Sequence, residues 1–435
     1  MTDAGHTEPT EPSQVVEHLF RHEAVKMVAT LTRIFGLEHL TLAEDVVQEA
    51  LARALQTWPF HGIPKNPAAW LMRTSRNLAL DAVRRETVFR GKEPAIIQQM
   101  EGENIGPDTT VFSDAEIADD QLRMMFACCH PLIPLDSQAA LALKVLCGFG
   151  PLEISRAFLT TEAAIAKRLT RAKQRIREAG IKFEIPPSHE LSARLRGVLQ
   201  TIYLLFNEGY KASSGDKLVR EDICLEAIRL GQLLVEHPKL GNTQTHALLA
   251  LMFLNAARFP ARIDEEGQLL LLQTQDRNLW DKSRIARGMF HLASSAAGEE
   301  IGEYHLQAGI AACHCQAANY AATNWGQILE LYDHLVEFDD SPIVALNRAV
   351  AVGEVLGPKA GLDAVAAIDN IESLESYYLL HAVMGELEAR LGNVAAASRH
   401  YRRSLQLAEI RSEREFLAGR IQHCEARRGS EDSGN

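Results

Sequence analysis

Two stretches of this sequence carry residue types that hold nucleic acids. In residues 161–178 six Lys/Arg stand against two acids, and in residues 61–92 seven stand against two. In the first stretch Ile165, Leu169, Ala172 and Ile176 recur at helical spacing and define an inward stripe. Ala163, Lys167, Thr170, Arg171 and Gln174 then point outward, with Arg168 and Arg175 flanking. Residues 152–158 read as a short helix before a tight connection at Leu159-Thr160, and Thr161-Glu162 opens the long helix. That pair is the layout of a helix-turn-helix, whose second helix offers N-terminal residues to base edges and Arg/Lys to phosphates. A solvated basic face is the competing explanation.

The second basic stretch lies on a helix over residues 67–86. Arg73, Arg76, Asn77, Leu80 and Arg84 share one side, while Leu71, Ser75, Leu78 and Ala82 share another. Trp70 stands near its start, beyond a loop over residues 59–66. An exposed ring beside a basic helix suits unpaired bases, which stack on the ring while Arg holds the backbone; a core position for Trp70 is the alternative. A helix over residues 41–58 buries Leu42, Val46, Val47, Ala50 and Ala54. Opposite them it presents Asp45, Gln48, Glu49 and Gln56, either as solvated surface or as a protein-docking face. No phosphate loop, dinucleotide fingerprint, nucleophile elbow or H-E-x-x-H pattern occurs, so no catalytic residue is expected. Cys128-Cys129-His130 and Cys313-His314-Cys315 set their side chains ~100° apart on a helix, which surrounds a metal ion poorly. Neither a metal nor a cofactor is expected.

The elements that must position these faces follow from periodicity. Apolar residues recur at three- and four-residue steps along nearly all of the 435 residues, so the expected fold class is all-α. Thr41-Leu-Ala-Glu44 and Ser113-Asp-Ala-Glu116 read as capping boxes. Asn66-Pro67 and Ser341-Pro342 set a capping side chain before a proline at the first helical position. Four segments result: a helical unit at 14–86, a linker rich in Gly, Pro and acids at 87–112, a second helical unit at 113–184, and an Ala/Leu-rich helical array at 188–428. Within the array Met384-Gly385, Gly392-Asn393, Ala397, Tyr401 and Ser404 sit at tetratricopeptide spacing, and residues 341–367 make a degenerate copy turning at Gly357-Pro358. A generic solenoid or bundle is the alternative. The net charge of −12 excludes a protein that coats nucleic acid by bulk charge. It is unevenly spread, with −3 over residues 1–184 and −9 over the remainder. No stretch reaches the roughly 18 apolar residues of a membrane helix, and the acidic N-terminus lacks a signal-peptide layout. Seven cysteines in so large a chain are expected to be reduced thiols, in the cytoplasm.

Taken together, these stretches resemble the extracytoplasmic-function group of sigma-70 RNA polymerase sigma factors. Leu42-Ala-Glu-Asp-Val-Val-Gln-Glu49 looks like the region 2 core-binding signature, and residues 69–85 look like the melting and −10 segment that follows it. Residues 152–177 look like the region 4 helix-turn-helix. The resemblance covers about residues 14–184 and implies a subunit that binds core RNA polymerase and recognises promoter DNA without performing covalent chemistry. By it, Asp45, Gln48 and Glu49 dock on the clamp of the largest polymerase subunit. Asn66, Trp70, Arg73, Arg76, Asn77 and Arg84 handle the opened −10 element, and Thr161, Glu162, Lys167, Arg168 and Arg171 read the −35 duplex. The loop Phe60-His-Gly-Ile-Pro-Lys-Asn66 departs from the group, being Pro-rich where typical members are rich in Ser, Gly and Phe.

Phe206-Asn-Glu-Gly-Tyr-Lys-Ala-Ser-Ser-Gly215, with residues 220–230, resembles the C-terminal extension of a subgroup that carries a tetratricopeptide-like domain. A helical-repeat surface suits peptide or protein binding, so the extension is expected to be regulatory, by intramolecular or partner-mediated control, with Glu208, Gly209, Tyr210, Ser213, Ser214, Arg220 and Glu221 as the candidate residues. Glu208, Arg220 and Glu221 either line a ligand or partner groove or serve as caps and surface pairs. The alternative for the whole chain is a ligand-responsive helix-turn-helix regulator with a helical sensor domain, in which the stripe Asp45/Gln48/Glu49 has no task.

Overall fold

Helices that are apolar on one side need a partner, and this chain supplies one after another. A computed structural model describes residues 23–90, 114–158, 160–210, 220–262, 264, 270–298 and 300–432. Among them every regular element is a helix, so the fold is all-α. The chain divides into two units, Met1–Leu204 and Leu205–Asn435. The division falls inside a helix, beyond the boundary between 184 and 188 that the sequence suggests.

The first unit begins with α1 (Ala24–Phe35), a 3-10 turn (Leu37–His39), α2 (Leu40–His61) and α3 (Pro67–Arg90). It continues with α4 (Asp114–Cys128), α5 (Leu135–Cys147), α6 (Pro151–Ala157) and α7 (Glu162–Ala179), and α8 (Ser188–Tyr210) leads out of it. Helix α5 is the centre: Ser137 to Leu143, Val145 and Leu146 are all buried, as an almost uniformly apolar helix must be. The two sequence segments expected as separate helical units thus share one body, with α1 packed on both α4 and α5.

Of the helix starts that the sequence marks, two hold and one fails. Asn66 Oδ1 accepts the Ala69 N–H at 3.0 Å, and Ser341 Oγ accepts the Ile343 N–H at 3.3 Å. The Thr41–Glu44 capping box does not form. The 3-10 turn runs straight into α2, which has no side-chain cap and already contains Thr41 in its first turn. Helix α2 also continues past Trp58 through Pro59 to His61, so the loop before Pro67 is shorter than expected. Helix α3 reaches Arg90 and takes the first residues of the expected linker. Ser113 and residues 91–112 lie outside the described residues.

The second unit comprises α9 (Glu221–Glu236), α10 (Thr243–Ala256), 3-10 turns at Phe259–Ala261 and Arg277–Leu279, and α11 (Lys282–Ser295). Then follow α12 (Glu303–Gln316), α13 (Trp325–Phe338), α14 (Pro342–Val355), α15 (Pro358–Ala366), α16 (Tyr378–Arg390), α17 (Val394–Leu407) and α18 (Arg411–Asp432). Most helices pack on their neighbours in sequence. The pair α16/α17 turns at Gly392, φ +81°, and closes where Gly385 meets the buried Tyr401; a Cβ at 385 would sit 2.9 Å from that ring. Helices α14 and α15 approach as closely, a Cβ on Gly361 falling 3.0 Å from Gly353 Cα.

Histidines in this unit make its stability depend on acid. His246 and His291 bring their Nδ1 atoms to 3.0 Å. Burial, then the charges of His246 and Arg287, push the His291 imidazolium down to about 4. Burial and the charges of Arg258 and Arg277 push His314 down to about 3. Because the folded values lie below the ordinary 6.5, the unfolded chain binds more protons between about pH 6.5 and 4, and stability is lost as pH falls through that window. At roughly 1.4 kcal/mol per unit, discounted for the half-exposed His291, the loss is on the order of 3 kcal/mol. Urea melts at pH 7, 5.5 and 4.5 should show it, and His314→Gln should flatten the slope.

Candidate nucleic-acid interface

Helix α7 is built as its spacing requires. Thr161 Oγ1 accepts the Ala164 N–H at 3.2 Å, and Gly180 in the left-handed region (φ +58°) ends the helix. Ile165, Leu169, Ala172 and Ile176 are buried. Thr161, Glu162, Lys167 and Arg171 are exposed, as are Ala163, Thr170 and Gln174. Arg168 is half-buried and reaches Asp136 on α5 at 3.1 Å. Arg175 donates to the Leu132 carbonyl at 2.8 Å. The short helix α6 packs against α7, and α7 presents an open basic face.

Helix α3 turns Leu71, Ser75 and Ala79 inward and leaves Asn66, Arg73, Asn77 and Arg84 exposed. Arg84 lies 3.9 Å from Asp81, a loose surface pair. Arg76 is half-buried. Trp70 is not an open platform: its ring packs edge-on against Trp58, centroids 5.5 Å apart, and Trp58 is 2% exposed. The open ring nearby is Phe60, 85% exposed at the C-terminal end of α2. Had α2 been carried past Pro59, helical spacing from the buried Trp58 would have put residue 60 on the solvent side.

On α2, Asp45, Gln48 and Glu49 are exposed as a stripe. Glu49 pairs with Arg53 at 2.9 Å, one turn on. The neighbouring Glu44 has a different part. It is buried, and Lys173 of α7 pairs with it. A second bridge joins the same halves: Arg33 of α1 reaches Asp120 of α4 at 3.0 Å, with the Asp120 side chain only 2% exposed and Arg123 on its other oxygen at 3.2 Å. Removing one partner of a buried pair strands the other charge. Glu44→Ala and Lys173→Met should each lower stability by ~2 kcal/mol and the double variant by less than their sum, a non-additivity that a double-mutant cycle in urea reads directly.

The residues assigned to the extension divide. Glu208 and Gly209 are buried. A Cβ on Gly209 would fall 2.7 Å from Cys224 Sγ, 2.8 Å from its N and 2.9 Å from the Arg220 carbonyl. Arg220 is the N-cap of α9 and its amide donates to the Gly209 carbonyl at 2.8 Å. Glu221 pairs with Arg284 at 2.8 Å. Glu221 thus makes a surface pair, and Arg220 occupies the N-cap position without a side-chain cap bond. Tyr210 lies under the Arg262 guanidinium, 3.9 Å from its ring centroid. Ser213 and Ser214 lie outside the described residues. Cys128 and Cys129 are buried, and burial pushes the Cys129 thiol up to about 12. Among the described residues no group of three His, Cys, Asp or Glu is placed to hold a metal ion, and no helix is long and apolar enough to cross a membrane.

Residues 19–88 match Sigma-70 region 2. Residues 194–296, which run from α8 to the end of α11, match a family of unknown function, DUF6596. Along 400 residues the sequence is 38% identical to an uncharacterized protein of Rhizobium meliloti (strain 1021), covering 92% of this chain and 93% of that one. The chain belongs to that protein's family. Its N-terminal helices carry a sigma-70 region 2 domain, which supports membership of the sigma-70 family and implies binding to core RNA polymerase and promoter DNA. No solved structure matches.

Proposed function

We propose that this sigma-70 family member is a promoter-specificity subunit of the extracytoplasmic-function group, acting in the cytoplasm and controlled by its C-terminal helices. The observation that carries the reading is the exposed stripe Asp45/Gln48/Glu49 inside the stretch matched to region 2, in one body with the open basic face of α7. In this reading the stripe docks on the clamp of the largest polymerase subunit. Asn66, Arg73, Arg76, Asn77 and Arg84 hold the opened −10 element, with Trp70 bracing α3 and Phe60 offering the ring on which a base stacks. Thr161, Glu162, Lys167, Arg168 and Arg171 read the −35 duplex. The tetratricopeptide-like helices from α9 onward present a surface for a regulatory protein partner.

The test mixes purified protein with core polymerase and maps transcript starts on genomic fragments. Starts sharing two upstream elements support the reading. Absence of any complex with core polymerase, with tight two-fold operator binding by the chain alone, would favour the ligand-responsive regulator instead.

A further inference from the structure

We infer that Arg258, Arg262 and Arg277 form an oxyanion-binding site in the second unit, built around Trp280 and Tyr210. The site does not depend on the promoter reading, and its test measures ligand binding rather than transcription.

Three arginines scattered through irregular chain are gathered here by the two 3-10 turns. The backbone between them is pinned: the Asp281 amide donates to the Ala257 carbonyl at 2.8 Å, and the Leu270 amide to the Arg262 carbonyl at 2.9 Å. The guanidinium carbons of Arg277 and Arg258 lie 4.1 Å and 5.4 Å from the centroid of the Trp280 ring, which is itself 3% exposed. Arg262 lies over Tyr210 and donates to its carbonyl.

No carboxylate pairs with any of the three among the described residues, in a unit whose net charge is strongly negative. The arginines at 229, 284, 348, 390, 402, 411 and 420 all find an acid within 4 Å. Arg258 instead acts on each of the other two. The charge of Arg258 disfavours the charged forms of both Arg262 and Arg277, after burial in each case. Like charges without a counter-ion are a standing repulsion, and an anion relieves it.

Hydrogen-bond bookkeeping points the same way. Arg277 gives Nη1 to the His314 carbonyl, while its Nε and Nη2 are shut off from water and have no partner. Those two atoms are one edge of the guanidinium, the fork that grips two oxygens of a carboxylate or phosphate side by side. Trp280 Nε1 and His314 Nδ1 are unpartnered as well. Buried donors are almost always satisfied, by protein, ordered water or a bound ion, and a cluster of unsatisfied ones beside unpaired arginines fits an anion. His314 stays uncharged beside the arginines, so its ring adds a neutral polar group without adding a fourth charge. The fitting ligand is a small molecule that ends in a carboxylate or phosphate.

The full-length protein is titrated with inorganic phosphate and, separately, with succinate, each against sodium chloride of equal ionic strength, by calorimetry and thermal melting. The expected result is saturable binding and a rise in melting temperature from at least one oxyanion beyond the chloride control. Arg277→Gln and Arg258→Gln should each raise Kd at least tenfold, while the exposed Arg403→Gln leaves it unchanged. Saturation by phosphate alone, or by succinate alone, assigns the natural ligand to that class. A response equal to chloride for both oxyanions overturns the site, as does a titration that both Arg277→Gln and Arg258→Gln leave intact. Using two variants keeps the outcome readable if one of them folds poorly.

Discussion

Replacing Asp45 and Glu49 together by lysine is expected to abolish promoter-dependent transcription and leave the melting temperature within ~2 °C of the parent. Both side chains are exposed, and the pair that Glu49 makes with Arg53 spans one exposed turn. Such pairs contribute only about 0.3–0.5 kcal/mol, so the fold loses little. A docking surface loses far more. Reversing charges across a complementary interface costs several kcal/mol, and at ~1.4 kcal/mol per decade the double reversal should weaken core polymerase binding about 100-fold. Fluorescence anisotropy with labelled core polymerase measures it. Glu44→Gln is the informative neighbour: one residue away, buried under Lys173, it should shift the urea midpoint and barely change polymerase affinity. Equal affinity for the double lysine variant and the parent would rule out the stripe as a docking face.

Gly209→Val should strongly destabilise the extension. The added Cβ would meet two backbone atoms, the Cys224 amide nitrogen and the Arg220 carbonyl oxygen, at 2.8 and 2.9 Å, as well as the buried Cys224 sulfur. A flexible neighbour could rotate away, but the start of α9 cannot move without breaking the bond between the Arg220 amide and the Gly209 carbonyl. Overpacking of this kind costs about 1–3 kcal/mol and more where backbone blocks relaxation. For a unit of this size that lowers the melting transition by roughly 2–12 °C. Differential scanning calorimetry should show the loss in the transition of the second unit. Gly419→Val, where a Cβ meets nothing within 4 Å, controls for the valine itself.

Helix α7 was legible in full because everything that shapes it lies within twenty residues. Thr161 caps it, Gly180 ends it, and the four apolar positions between them set which side is open. The start of α2 was not legible, although Thr41 and Glu44 match a capping box. The acceptors upstream come from a 3-10 turn, and Glu44 is drawn to a lysine 129 residues further on. Trp70 was ambiguous for a similar reason: a tryptophan at the edge of a basic helix suits either role, and what decides is Trp58 on the adjoining helix. The gathering of Arg258, Arg262 and Arg277 had no periodic signature at all, since turns rather than a helix face bring them together.

The bridges between the halves of the first unit have a geometric consequence. A body of about 200 residues has a radius of gyration near 17 Å, so two points on it lie at most ~45 Å apart. Promoter elements about 25 base pairs apart span ~85 Å of duplex at ~3.4 Å per pair. On the promoter reading, α3 and α7 therefore cannot engage both elements while Lys173 holds Glu44. In the free chain Lys173–Glu44 and Arg33–Asp120 hold these helices together. On that reading core polymerase has to part these pairs, so their strength sets how much of the chain is ready to read DNA, through residues that never touch a base.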